Sequence, residues 1–179
     1  MTTARALIRS HPAQPGTIAG TITDVNRHLT SDVAASGRFM TLFYLVLDPL
    51  KRSLHWVRAG HDAAISYDPT ADRFEELEGP GMALGVDASF HYEEHQKDGL
   101  AKNQIIFMGT DGIWETHNPK GDMFGKAPVY DIIRQKASCE AVEIVDSIIH
   151  AMNAYRQDLE PKDDATLVVV KVKENLSVP

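Results

Sequence analysis

Apolar positions along the chain fall into two rhythms. A helical end over 4–10 is followed, past His11-Pro12 and Pro15-Gly16, by Ile18, Ile22, Val25 and Leu29 at helical spacing. After Gly37 the period shortens. Residues 39–47 read as a buried strand, Asp48-Pro49 with Lys51-Arg52 as a turn and 54–58 as the returning strand, which together predict a hairpin. A second hairpin is predicted from 65–67 and 74–77 around Asp68-Pro69-Thr70-Ala71-Asp72. The glycine-rich stretch 79–85 separates these hairpins from a strand over 90–95 and from a central strand that ends at Thr110. Helical spacing then returns over 128–136, and Cys139, Val142, Val145, Ile149, Met152 and Tyr155 mark one face of a longer helix before a final strand over 166–172. The pattern predicts one domain over 1–179, with helices in 2–32, a sheet-rich core in 38–111, helices in 126–157 and a last strand in 165–172. Hairpins grouped between helices make this an α+β layered domain with mostly antiparallel sheet, and not a βαβ nucleotide-binding fold.

Composition narrows the partners more than the fold. The 179 residues are 43% hydrophobic and 24% charged, which suits one domain with a substantial core. A formal net charge of −7 argues against broad electrostatic affinity for nucleic acid or for an anionic membrane surface. The only cysteine is Cys139, so an intrachain disulfide framework is excluded and a reducing compartment is the simpler expectation. No apolar run approaches membrane-spanning length, and the first residues lack the apolar segment and cleavage site of a secretory signal. The expected location is the cytoplasm.

The chemistry concentrates at two strand ends. Thr110-Asp111-Gly112-Ile113 follows the apolar run Ile105-Ile106-Phe107-Met108, and Asp163-Asp164-Ala165-Thr166 precedes the last strand. Each pairs a strand with an acidic loop, a rigid way to present a carboxylate to a hard divalent cation. A lone Asp-Gly after a strand reads first as a turn, because glycine tolerates positive φ and aspartate hydrogen-bonds its own backbone. It is the pairing that points to a metal.

Six segments in order carry a resemblance: Phe39-Met40-Thr41-Leu42-Phe43-Tyr44, Arg58-Ala59-Gly60-His61, Leu84-Gly85-Val86, Thr110 to Glu115, Met123-Phe124-Gly125 and Asp163 to Leu167. Together they resemble the bacterial stage II sporulation protein E and stress-regulator phosphatases, which belong to the metal-dependent serine/threonine phosphatases of the 2C type. The resemblance implies an αββα sandwich of two mostly antiparallel sheets flanked by helices, with a binuclear Mn²⁺ or Mg²⁺ centre at one edge. By similarity Asp111 and Asp163 are metal ligands; Gly112 reads first as geometry, letting the backbone fold back beside the metal, and second as a donor of its carbonyl or a bound water. Two cations about 3.5–4 Å apart need carboxylate oxygens to bridge and neutralise them, and a metal-activated water then attacks phosphorus directly. The implied substrate is a phosphoserine or phosphothreonine protein of the anti-sigma-factor-antagonist type. The resemblance also implies an upstream sensory or receiver domain, coupled through the first helices, and a homodimer.

The resemblance breaks at the amino terminus. The family's first ligand motif, an Asp-x-x-Gly-His-Gly turn whose aspartate bridges both metals, has no counterpart: no Gly-His-Gly occurs, and no Asp precedes Asp24. The sequence therefore reads as a phosphatase domain lacking its first strands and first metal motif, weak or inactive as an enzyme, with an open sheet edge that favours self-association. The alternative reading is a catalytically degenerate domain that binds a regulatory partner without turnover. A third, a non-enzymatic α+β interaction domain with chance acidic loops, is set aside by six motifs in order.

Other residues admit plainer roles. Asp164 reads as a ligand, an outer acceptor or a turn residue, and His61 as framework that buttresses a loop. Glu115 either orients the loop after Asp111 or is solvated. Cys139 lacks a histidine partner in sequence and reads as a small buried hydrophobe. His91 and His95 share a strand face incidentally. Gly79-Pro80-Gly81 lacks the Gly-Lys-Ser/Thr end of a phosphate loop and reads as a connection.

Overall fold

A computed structural model describes residues 2–10 and 17–173. The interruption expected at His11-Pro12 and Pro15-Gly16 lies outside the described residues. Two compact units form, one drawn from Met1–Ala63 and Glu78–Leu100, the other from Ala64–Leu77 and Ala101–Pro179. Each has its own buried core.

In the first unit, α1 (Thr2–Ser10) and α2 (Ile18–Val33) accompany an antiparallel sheet of order β1-β2-β5, with β1 at Leu42–Asp48, β2 at Ser53–Ala59 and β5 at His95–Lys97. The predicted stripe is the buried one: Ile18, Ile22, Val25 and Leu29 are at most 5% exposed and pack with Val57, Ala59, Leu84 and Tyr92. Each such burial contributes about 1.5–3 kcal/mol. The first hairpin forms as expected, from Leu42 opposite Ala59 to Asp48 opposite Ser53. Asp48 Oδ1 accepts the amides of Leu50 and Lys51, both at 3.0 Å, so the turn is closed by its own side chain.

The strand expected over 90–95 is displaced to His95–Lys97. The cause is competition for backbone partners. Tyr92 N–H donates to the Thr23 hydroxyl at 3.2 Å, Phe90 N–H to the Asp87 carbonyl at 3.2 Å, and Asp87 Oδ1 takes the Ser89 amide at 2.8 Å. Groups a ladder would use are committed to α2 and to local turns.

The second unit holds a fully antiparallel sheet of order β4-β3-β6-β7, with β3 at Ala64–Asp68, β4 at Arg73–Leu77, β6 at Ile105–Gly109 and β7 at Leu167–Lys171. The central strand β6 buries Ile105, Ile106 and Phe107 to within 1%. Three helices follow it in sequence: a short α3 (Asp111–Trp114) where the sequence pattern predicts a loop, then α4 (Ala127–Gln135) and α5 (Ala141–Arg156). Ile144, Ile148 and Met152 of α5 and Val129 and Ile133 of α4 complete this core. A reciprocal capping box starts α5, in which Glu140 N–H donates to Glu143 Oε1 at 3.1 Å. Gln157, at φ 58°, ends it.

Cys139 is half-buried in the turn before α5, where its carbonyl accepts Lys171 Nζ at 2.6 Å. In their sheets β1 and β7 each have one strand neighbour. No residue of β1 is fully buried, and Val168 of β7 is 46% exposed. No helix among the described residues is long and apolar enough to cross a membrane.

Candidate metal centre

The two acidic loops meet within the second unit. Strand β6 and strand β7 pair from Ile105 opposite Lys171 to Gly109 opposite Leu167, and this register carries the residues beyond the strand ends alongside each other. Thr110 N–H donates to the Thr166 carbonyl at 3.0 Å, and Thr166 N–H returns to the Thr110 hydroxyl at 3.0 Å. The same hydroxyl donates to the Asp164 carbonyl at 3.3 Å. Thr110 and Thr166 thus clasp the loops together through backbone groups and one hydroxyl. In the sequence both threonines stand out only as members of their motifs. A threonine directly before Asp111 and another two residues after Asp164 are the available signal.

Gly112 has a steric role. A Cβ at this position would lie 2.4 Å from the Asp164 carbonyl oxygen, far inside contact distance, so only glycine lets the start of α3 approach that loop. Its carbonyl accepts the Thr116 hydroxyl at 2.8 Å, which stiffens the helix turn.

Both candidate ligands are exposed, and each is oriented by its own backbone. Asp111 Oδ1 accepts the Gly112 amide at 3.0 Å and Asp163 Oδ1 accepts the Asp164 amide at 2.7 Å. The second oxygen of each carboxylate has no hydrogen bond among the described residues. Asp164 enters the clasp through its carbonyl, while its exposed carboxylate has no hydrogen bond there either. Glu115 is exposed as well, and its amide, not its carboxylate, contacts Asp111, donating to that residue's carbonyl at 2.8 Å.

The exit from α3 is rigid. Phe124 N–H donates to the Thr116 carbonyl at 2.8 Å and Gly125 N–H to that of Trp114 at 2.9 Å. The Tyr155 hydroxyl closes on the Met123 carbonyl at 3.0 Å, and Phe124 meets the Tyr155 ring edge-on at 5.4 Å. The Met-Phe-Gly segment therefore braces the loop that carries Asp111.

Whether a metal fits can be judged from the donors. Oriented, exposed carboxylates on a clasped pair of loops suit one hard dication that keeps several waters, as Mg²⁺ commonly does. Among the described residues, however, no three His, Cys, Asp or Glu side chains converge as a metal site. These residues fit part of a two-metal centre and not the whole.

The first unit presents the opposite picture. His61 Nδ1 lies 3.3 Å from the Thr41 hydroxyl, its carbonyl accepts Arg58 Nε, and Arg58 Nη1 reaches the Gly79 carbonyl at 3.1 Å. Gly60, at φ 70°, would place a Cβ 2.9 Å from the Ala83 backbone. The Arg-Ala-Gly-His segment is thus bound into its surroundings as framework. His91 lies in a loop and His95 on β5, where its ring stacks on Trp56 at 5.8 Å.

Known proteins share this architecture. The SiaA-PP2C domain of Pseudomonas aeruginosa matches with a TM-score of 0.80 at 21% identity, over 95% of this chain and 68% of that one. The phosphatase domain of the cell fate determinant SpoIIE from Bacillus subtilis, presoaked with Mn, matches with a TM-score of 0.59 at 19% identity, over 97% of this chain and 74% of that one. At such identities the likeness shows the fold, which is the αββα class of the 2C-type phosphatases, as expected. Protein IcfG of Synechocystis sp. is 20% identical over 146 residues, which are 81% of this chain, and the chain spans 22% of that protein's length. The stage II sporulation protein E (SpoIIE) family matches residues 1–173, and the chain belongs to that phosphatase family.

Proposed function

We propose that this chain acts within a metal-dependent protein serine/threonine phosphatase of the cytoplasm, whose substrate is a regulatory phosphoprotein of the anti-sigma-factor-antagonist type. The observation that carries the reading is the clasp of Thr110 and Thr166, which holds oriented Asp111 and Asp163 on neighbouring loops. In this reading Asp111 and Asp163 ligate Mn²⁺ or Mg²⁺, and Gly112 keeps their loops in contact. The bound cation would supply a water activated for attack at phosphorus. An upstream sensory or receiver domain and a homodimer complete the proposed assembly. A second reading, a partner-binding domain without turnover, is favoured by the lack of a third metal-ligating side chain among the described residues.

The test is Mn²⁺-dependent hydrolysis of an aryl phosphate. Weak activity is expected from the chain, and loss of it in either Asp111→Asn or Asp163→Asn. Both variants are expected to stay within about 0.5 kcal/mol of the parent in thermal stability, because these carboxylates are exposed. Hydrolysis that persists in chelator, or in both variants, rejects the metal mechanism. Stable but wholly inactive protein favours the binding domain.

A further inference from the structure

A cavity of about 650 Å³ in the second unit is walled by Gly112, Asp163 and Asp164 and continues along α5. Its α5 wall is a single stripe, Val145, Ile149, Met152, Asn153 and Arg156, at spacings that place all five on one side of the helix. Two of its apolar residues are unusually open, Ile149 at 43% and Leu159 at 42% exposure. Two of its lining residues bury a nitrogen that has no hydrogen-bond partner, Arg156 Nε and His117 Nδ1. One other group of Arg156 is engaged, Nη2 donating to Asn153 Oδ1 at 3.2 Å. A buried guanidinium N–H without an acceptor is costly, and an incoming oxygen at this point would recover a charge-assisted hydrogen bond.

We propose that this cavity binds an extended segment of the phosphoprotein substrate beside its phosphorylated residue, with an aliphatic side chain on Ile149 and Met152 and a carboxylate at Arg156. The inference rests on the phosphatase reading and deepens it. Three features select this occupant. The cavity volume is that of a few residues of peptide, within the usual range for ligand sites. The apolar stripe runs to Arg156, whose unpartnered Nε–H calls for an oxygen acceptor within a lining that also holds Lys162, Glu115, Glu160, Asp163 and Asp164, and an aliphatic residue followed by an acidic one supplies it. Gly112, Asp163 and Asp164 line the same cavity, so a peptide seated here would lie beside the candidate metal ligands.

Binding is tested without metal, by fluorescence anisotropy of labelled, unphosphorylated peptides in chelator. The probes are glycine-serine nonapeptides carrying Leu with Glu, Leu with Lys, or Ser with Glu. The Leu-Glu peptide is expected to bind about tenfold tighter than the Leu-Lys one. Arg156→Gln should reduce that preference to about twofold, and Ile149→Glu should weaken the Leu-Glu peptide about tenfold relative to the parent chain. Melting curves of both variants establish that they fold. Ile149 is already exposed, so its variant keeps the test open should Arg156→Gln unfold. Equal binding of all three peptides, a preference unchanged in both folded variants, or full competition by acetate would overturn the proposal. Peptide binding with these preferences but no aryl phosphate hydrolysis would instead count against the phosphatase reading alone, and hydrolysis without peptide preference against the cavity alone.

Discussion

Polar side chains serve different ends in the two units. In the first they are engaged by the fold itself. Asn26, fully buried in α2, donates to the Asp87 carbonyl at 2.7 Å and accepts the Gly85 amide at 2.9 Å. Glu94 takes His55 Nδ1 at 3.0 Å with one oxygen and the Ile18 amide, at the start of α2, at 3.2 Å with the other. In the second unit the acids at the loop ends are exposed, and each keeps one oxygen without a protein partner. Buried polar groups that satisfy one another make framework, whereas oriented carboxylates open to solvent are available for a ligand.

The strongest way to break this contrast is Asn26→Ala. It removes two hydrogen bonds and leaves the Gly85 amide without its acceptor, while the Asp87 carbonyl keeps Phe90 N–H, against a small gain in helix propensity. The expected loss is about 3 kcal/mol, or about 10 °C in melting temperature for a chain of this size. A shift under about 2 °C in calorimetry would mean that water replaces both bonds and that the first unit's polar residues are less structural than their burial indicates.

Gly112→Ala probes the other side. Its Cβ would meet the Asp164 carbonyl at 2.4 Å, so the loops must part or α3 must shift. The expected cost is about 2 kcal/mol of stability, with about tenfold weaker Mn²⁺ binding by titration calorimetry. Unchanged metal affinity in a folded variant would separate the clasp from the candidate centre.

Much of this contrast was readable from residue order, because it is local. Asp48 and Asp68 close their own turns, as the hairpin patterns required, and Asp111 and Asp163 each bond the next amide. The stripe of α2 was readable because a helix that covers a sheet must be apolar on one face. What escaped depends on partners far away in sequence. Asn26 looks like an ordinary polar helix position until it meets Gly85, 59 residues on. The displaced strand near Phe90 follows from Thr23, 69 residues before Tyr92. The cavity wall escaped too, because Cys139, Val142, Val145, Ile149, Met152 and Tyr155 have the spacing of a core-facing stripe, whereas Cys139 precedes α5, the helix buries Ile144, Ile148 and Met152, and Val142 and Ile149 are exposed.

The smallest expected effect uses one tyrosine from each unit. Burial pushes the Tyr92 phenol up to about 12, and its hydroxyl donates to the neutral Met82 carbonyl at 2.8 Å. Tyr130 is also raised to about 12, chiefly by burial and then by its hydrogen bond to Glu76 Oε1 at 3.0 Å. Because the folded value lies above the unfolded one of about 10, this stability is complete below pH 10 and is lost as pH rises toward 12. At pH 11 each tyrosine should have lost about 1 kcal/mol relative to pH 9. Tyr92→Phe and Tyr130→Phe should each flatten the alkaline fall of the urea midpoint, and the double variant should flatten it further. For Tyr92 ionisation forfeits a donor to a carbonyl, while for Tyr130 it sets two anions against each other, so the Tyr130 share should shrink in high salt and the Tyr92 share should not. A double variant that falls as steeply as the parent would assign the alkaline loss to other groups.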